Sequence, residues 1–223
     1  AMYGSKGCPF KCTFCSWPQT MYFGNVALRS PENIAEEIRN AVEKYGFRSI
    51  FFDDDTFNLG TKRISKLCDY LKEISLPWTM MGRLDISPDW LYDKMVDCGC
   101  VGMRFGVETF NIDVLKNIEK GIERRDFRKT LEYICLTYPE VMIHITMMSD
   151  MPGQTAEDTE IDMKIIKEMG FSIDNILRSY QLSKCAPFPG TKLYEQMKTR
   201  LDEATLKTYT LYDGGQDTIM KAS

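Results

Sequence analysis

The 223-residue chain predicts a parallel α/β architecture on three observations. Short β-prone runs alternate with helical apolar periodicity along most of its length. Helix-capping residues and glycine stops punctuate each helical stretch. Finally, no repeat or low-complexity segment competes with this reading.

The elements follow in order. Ser30 reads as an N-cap with Pro31 in the first turn; Ile34, Ile38, Ala41, Val42 and Tyr45 then recur at helical spacing up to Gly46. Ser49 to Phe52 is a short strand ending in three acids, Asp53, Asp54 and Asp55. Thr61 opens a helix through Ile74, with Ile64, Leu67, Cys68 and Leu71 on its inner face, and Pro77 leads into a strand from Trp78 to Leu84. Ser87 and Pro88 cap a helix expected to bury Trp90, Leu91, Met95 and Val96, with Gly99 ending it. Val101 to Thr109 is a strand, followed by a short helix near Val114 and a longer one from Asp126 to Tyr138. Val141 to Met148 is another strand, Thr155 caps a helix to Met169, and Asn175 to Leu182 is the last strand. A final helix begins at Leu193. Right-handed crossovers wind such a series into an open or closed barrel or a doubly wound sheet, and periodicity alone does not separate them.

Composition narrows the class. Apolar content of 43% and charged content of 27% suit a water-exposed globular domain, and no apolar run approaches the ~20 residues needed to span a bilayer. A net charge of −4 with dispersed Lys and Arg does not suggest a nucleic-acid partner. Eight cysteines are too few for a disulfide scaffold in a chain this long, so a reducing, cytoplasmic location is expected. Cys68 and Cys135 fall in helical patterns as small hydrophobes, and Cys98-Gly99-Cys100 is weak evidence for a further metal centre.

The chemistry concentrates in Gly7-Cys8-Pro9-Phe10-Lys11-Cys12-Thr13-Phe14-Cys15, a C-x3-C-x2-C run. A closed zinc site needs a fourth protein ligand, and its thiols usually come as C-x2-4-C pairs. No second pair follows, and the only histidine, His144, is far along the chain. Three thiolates instead suit an iron–sulfur cubane held at three irons, with the fourth left open. Strand ends add polar residues: the acids at 53 to 55, Arg83 and Asp85, Arg104 and Glu108, His144 and Asp150, and Ser179, Gln181 and Cys185. Charged residues in apolar strands are costly unless they pair or line a polar cavity, and a run of such strands favours the cavity.

The cysteine run, with Phe14 before its third cysteine, resembles the cluster motif of the radical S-adenosylmethionine (SAM) superfamily. Cys15-Ser16-Trp17-Pro18, Arg29-Ser30-Pro31-Glu32-Asn33, Phe52 to Phe57, Gly106-Val107-Glu108-Thr109 and Pro187-Phe188-Pro189-Gly190-Thr191 resemble the branch that usually carries an N-terminal cobalamin domain. That similarity covers Gly7 to about Leu193. It implies a partial (β/α)6 barrel over residues 1–200, with 201–223 as a C-terminal helical or irregular extension. It also implies a [4Fe-4S] cluster on Cys8, Cys12 and Cys15. SAM chelates the open iron there and is split by an electron from a flavodoxin- or ferredoxin-type donor, giving a 5′-deoxyadenosyl radical.

By the same resemblance, Asp54 and Asp55 engage the SAM ammonium, and Glu108 its ribose or amino end. Arg83 meets the SAM carboxylate or a small-molecule substrate, Phe14 packs near the adenine, and backbone at Leu182 reads the adenine edge. The branch implies methyl transfer to unactivated carbon or phosphorus. No D-x-H-x-x-G cobalamin motif is present, so cobalamin is expected only from a domain outside this sequence. Without it, epimerisation, dehydrogenation or rearrangement is expected, with Cys185 as catalytic hydrogen donor. A metal-binding module without chemistry is the reading from another class. Two departures stand out: Asp150 and Gln154 replace a glycine and a glutamate of the branch's Gly-Leu-Pro-Gly-Glu-Thr turn.

Overall fold

The computed structural model describes residues 1–121, 126–200 and 202–212. Five strands form one parallel sheet in sequence order: β3 (Ile50–Phe52), β4 (Trp78–Gly82), β5 (Cys100–Glu108), β6 (Met142–Ser149) and β7 (Arg178–Lys184). The position before β3 is taken by the N-terminus. Met2 bridges to Phe52 in parallel, its N–H donating to Phe51 O at 2.9 Å and its carbonyl accepting from Asp53 N at 3.0 Å. Of the six strands that the (β/α)6 resemblance implies, the one before Ile50–Phe52 is thus reduced to a single bridge. A further ribbon that periodicity did not show pairs β1 (Ser5–Lys6) with β2 (Ala27–Leu28) antiparallel and closes the cysteine loop between them.

Crossover helices cover one face of the sheet: α1 (Pro31–Tyr45), α2 (Thr61–Ile74), α3 (Asp89–Asp97), α4 (Ile112–Asn117), α5 (Phe127–Thr137) and α6 (Ala156–Glu168). Their starts follow the cap signals: Ser30, Asn111, Asp126 and Thr155 each accept from a backbone N–H of the first turn, and Thr155 with Asp158 forms a full capping box. Against the helices lies the core, where Phe52, Met80, Met103, Phe105, Ile143 and Ile145 of the strands meet Ile34, Leu67, Leu91 and Leu131. Trp78, fully buried, donates its indole N–H to Cys98 O at 3.0 Å.

Two details differ from the sequence reading. In α3, Tyr92 turns inward beside Leu91 and Met95, while Trp90 is 50% exposed. The last strand starts three residues later than expected, because Asn175 Oδ1 accepts from the N–H groups of Leu177 and Arg178 and makes a turn where a strand was read. After β7 come α7 (Lys192–Met197) and α8 (Glu203–Leu206); of the expected C-terminal extension, 201 and 213–223 lie outside the described residues.

The opposite face of the sheet is not a second core. Along β5, Met103, Phe105 and Val107 are buried among the helices, while Arg104, Gly106 and Glu108 alternate onto the concave side. A polar concave face is the wall of an open half-barrel, with its strand C-termini at the end where the cysteine loop docks.

Candidate functional site

The cysteine loop is held by its own neighbours before any ligand is considered. Gly7, at φ 87°, lets the backbone cross Asn25 so closely that a Cβ would lie 2.1 Å from Asn25 O. The three acids after β3 tie down the preceding segment. Asp53 accepts from the Tyr3 hydroxyl at 3.1 Å, Asp54 from Gly4 N at 3.0 Å and from the Ser5 hydroxyl, and Asp55 from Gly7 N at 2.7 Å. Asp54 is fully buried, and burial pushes its carboxyl above the usual carboxylate range, against the hydrogen bonds it accepts from Ser5 and Gly4. Both its oxygens engage the chain itself, and that carboxylate acts as a latch on the loop.

Gln19, in a π-helical turn (Trp17–Met21), was missed by sequence reasoning. Its amide donates to the carbonyls of Cys12, Thr13 and Cys15 at 3.0, 3.2 and 2.8 Å, and its Oε1 accepts from Lys192 N at 2.6 Å. A π-turn is a frequent companion of functional sites. The loop is bonded on two further sides: Thr13 N donates to Ile118 O, and Thr13 O accepts from Leu193 N, each at 2.9 Å.

Beside the loop lie two buried ion pairs. Arg83 forks onto Asp85 at 3.0 and 2.8 Å, donates to Lys120 O at 2.6 Å, and stacks on the Phe10 ring between the first two cysteines at 3.7 Å. Lys120 reaches Glu108 at 2.6 Å and Gly106 O at 2.7 Å. Lys120 is only 6% exposed and Glu108 7%, so both charges are out of bulk water. Glu108 and Glu119 adopt left-handed backbone at φ 68° and 53°, which aims this pair inward; a Cβ on Gly106 would lie 2.6 Å from Glu108 Oε1. Lys120 is the second functional residue that sequence reasoning missed. Its only signal is a Lys-Gly pair closing a short helix, with Gly121 at φ 68°.

These charges bear on the thiols. Burial pushes the Cys12 thiol up, while Lys120 and Arg83 pull it down; burial takes Cys15 to about 11. Thr56 Oγ1 donates to Cys8 Sγ at 3.4 Å. Among the described residues no three His, Cys, Asp or Glu side chains gather on one ion position. A cubane takes each thiolate on a different iron, so its ligands need not converge on a point. Three thiols on one stapled loop, faced by two buried cations that offset anionic charge, fit such a cluster.

The remaining expected residues fall as follows. Phe14 packs against the core edge. Leu182 is 43% exposed on β7, opposite Met147. Cys185 is fully buried just past β7, its N–H on Ser149 O, and burial, then Glu108 and Asp150, push its thiol up to about 12. A cavity of about 620 Å³ lies away from all of these, on the helical flank by Phe110, Phe127 and Asp162.

Comparison with known proteins decides the family. The family described as "Radical SAM superfamily" matches residues 2–166. The chain belongs to the Radical SAM superfamily. Among curated relatives, an uncharacterized methyltransferase of Pyrococcus horikoshii is 30% identical over 86% of this chain and 40% of its own length. The bacteriochlorophyllide d C-12(1)-methyltransferase of Chlorobaculum tepidum is 24% identical over 93% of this chain and 44% of its own. The chain thus spans about two-fifths of these relatives.

Among solved structures, the radical SAM methyltransferase TsrM of Kitasatospora setae, with cobalamin and a [4Fe-4S] cluster bound, superposes with a TM-score of 0.75. It is 15% identical, over 89% of this chain and 39% of that one. The cobalamin-dependent radical SAM enzyme OxsB gives 0.67 at 13% identity, over 89% and 35%. The radical SAM fold, a partial barrel with parallel strands, is therefore the architecture of this chain, and the family match places the chain in an enzyme class. No helix among the described residues is long and apolar enough to cross a membrane.

Proposed function

We propose that this chain is the catalytic core of a radical SAM enzyme that functionalises an unactivated C–H bond, in the manner of the cobalamin-associated methyltransferases it resembles. The observation that carries the reading is the junction of the cysteine loop with the Lys120–Glu108 and Arg83–Asp85 pairs. Cys8, Cys12 and Cys15 hold the cluster. When bound, the cluster supplies the electron that splits the sulfonium of SAM into methionine and a 5′-deoxyadenosyl radical.

The chain's own residues supply the rest. The amino-acid end of SAM carries one cation and one anion, and the buried Lys120–Glu108 pair matches it charge for charge. Glu108 receives the ammonium, and Lys120, backed by Arg83, the carboxylate, each exchanging one ionic partner for another rather than desolvating anew. Asp54 and Asp55 fix the loop that presents the thiols; Phe14 and the β7 backbone at Leu182 flank the adenine side.

Methyl transfer with cobalamin supplied from outside residues 1–223 is the reaction we favour, on the curated relatives named methyltransferases. Epimerisation or dehydrogenation is the second reading. It is favoured by Cys185, whose buried thiol is held protonated and so retains a hydrogen atom to donate. A flavodoxin- or ferredoxin-type reductant, a small-molecule substrate and a cytoplasmic location complete the proposal.

The test is anaerobic reconstitution with iron and sulfide. A brown protein with ~4 irons that releases methionine and 5′-deoxyadenosine on reduction supports the reading. Zinc uptake with no SAM binding refutes it.

A further inference from the structure

Below the Glu108–Lys120 pair, the concave face carries a second polar group that the SAM site does not use. The parallel register sets Met81, Arg104, His144 and Ser179 side by side across β4, β5, β6 and β7. Arg104 is exposed in mid-strand, and its guanidinium contacts the Phe51 ring at 5.6 Å. Among the described residues it has neither an ion-pair partner nor a hydrogen bond. His144 Nδ1 lies 2.9 Å from Ser179 Oγ, and its Nε2 has no partner among the described residues.

A cation in mid-strand of a parallel sheet wants an explanation, because the facing positions of neighbouring strands are normally apolar. Here the two flanking strands offer Met81 and the His144 ring, and the next strand the Ser179 hydroxyl, instead of an acid. Burial and the Arg104 charge hold His144 below its usual value, so the ring is neutral at pH 7. In the tautomer in which the Ser179 hydroxyl donates to Nδ1, Nε2 carries the proton and is a second donor beside the guanidinium. The row then presents a guanidinium and a ring N–H, oriented by Ser179, with one net positive charge and no acid in the row.

We infer that the Arg104–His144–Ser179 row is a binding subsite for an oxyanion, a carboxylate or phosphate group of the substrate. This rests on the reading of the upper site as the radical-generating one. Arg104 lies four residues before Glu108 on β5, on the order of 13 Å at ~3.3 Å per residue.

The sole histidine makes the test direct, since one ring resonance reports on the row. The full chain with its reconstituted cluster, labelled in the histidine ring, is titrated at pH 7.5 and constant ionic strength with inorganic phosphate or with acetate. A saturable shift with either anion is expected. Arg104→Met should weaken it by about tenfold or more, the loss typical of a charged hydrogen-bond partner, whereas Arg104→Lys retains a weaker response. Arg104→Gln serves if the Met variant does not fold by circular dichroism. No saturable shift with either anion, or one unchanged in the neutral variants, overturns the subsite. SAM cleavage is scored in the same samples: its absence counts against the upper-site reading, and its presence without an anion response against the subsite alone.

Discussion

Replacing Lys120 with methionine tests the charge arrangement beside the cysteine loop. The side chain keeps its length and apolar stem but loses the ammonium that Glu108 and the Gly106 carbonyl share. Glu108 then remains at 7% exposure without its counter-ion. Removing one partner of a buried pair costs about 3–5 kcal/mol, because the other charge stays desolvated. Glu108 borders the open half-barrel, where water can approach, so about 3 kcal/mol is expected. For a chain of this size each kcal/mol moves the melting temperature by about 2–4 °C, giving a drop of about 6–12 °C.

Thermal unfolding of the cluster-free chain by circular dichroism, kept anaerobic, reads this directly. Converting Glu108 to glutamine in the same background removes the stranded charge, and the double variant should recover to within about 1 kcal/mol of wild type. Its stability returns but its SAM binding does not, since both charges proposed to meet the amino-acid end are gone. A single variant melting within about 2 °C of wild type, or strictly additive effects in the double variant, refutes the buried-pair argument.

Other perturbations separate the roles of neighbouring residues. Gln19→Ala removes the amide whose two N–H groups serve the three carbonyls of the cysteine loop. At about 1 kcal/mol per hydrogen bond it should cost ~2–3 kcal/mol and lower the iron retained after desalting; unchanged iron content would sink the staple role. Cys185→Ala should leave reductive SAM cleavage intact while abolishing product from a hydrogen-donor reaction, and equal loss of both argues that the thiol only packs. Asp54→Asn addresses pH. Because burial raises the folded carboxyl above its unfolded value, the folded state binds the proton more tightly, and wild type loses stability as pH rises through that window. The asparagine does not titrate, so its melting deficit should be largest near the ordinary carboxylate range and shrink above it. A deficit constant across pH 4 to 7 contradicts the assignment.

Much of the fold was legible because each signal was local. The strands around Trp78, Gly102 and Ile145, the caps at Ser30 and Thr155 and the helix start at Asp126 are written in adjacent residues. The misreadings have identifiable causes. Ile176 and Leu177 looked like strand and are exposed, because the Asn175 side chain captures the next amides before β7 can begin. Asp150, read as a departure from a glycine, adopts φ 59°, a left-handed conformation that aspartate tolerates better than most residues. It therefore holds a left-handed turn of the kind that a glycine also suits. Gln154 likewise closes that turn on itself, accepting from Met151 N at 3.1 Å and donating to Met148 O at 3.2 Å.

The site was less legible, for a reason that the acids at 53 to 55 make plain. A carboxylate at a strand end reads equally well as a ligand contact or as an acceptor for stray amides. What distinguishes the two is whether nearby backbone lacks a partner. The segment from Tyr3 to Gly7 has one short ribbon and one bridge to satisfy it, so its amides at Gly4 and Gly7 turn to Asp54 and Asp55. Glu108 has no such duty; its partner is a cation from 12 residues downstream, delivered by a left-handed turn whose cost no local pattern announces. The acids that sequence alone marks most strongly thus build the loop, and the pair best suited to a zwitterionic ligand includes a lysine that no motif singled out. Strain is tolerated where a charge must be aimed, and at Glu108 and Glu119 it points both members of that pair toward the cysteine loop.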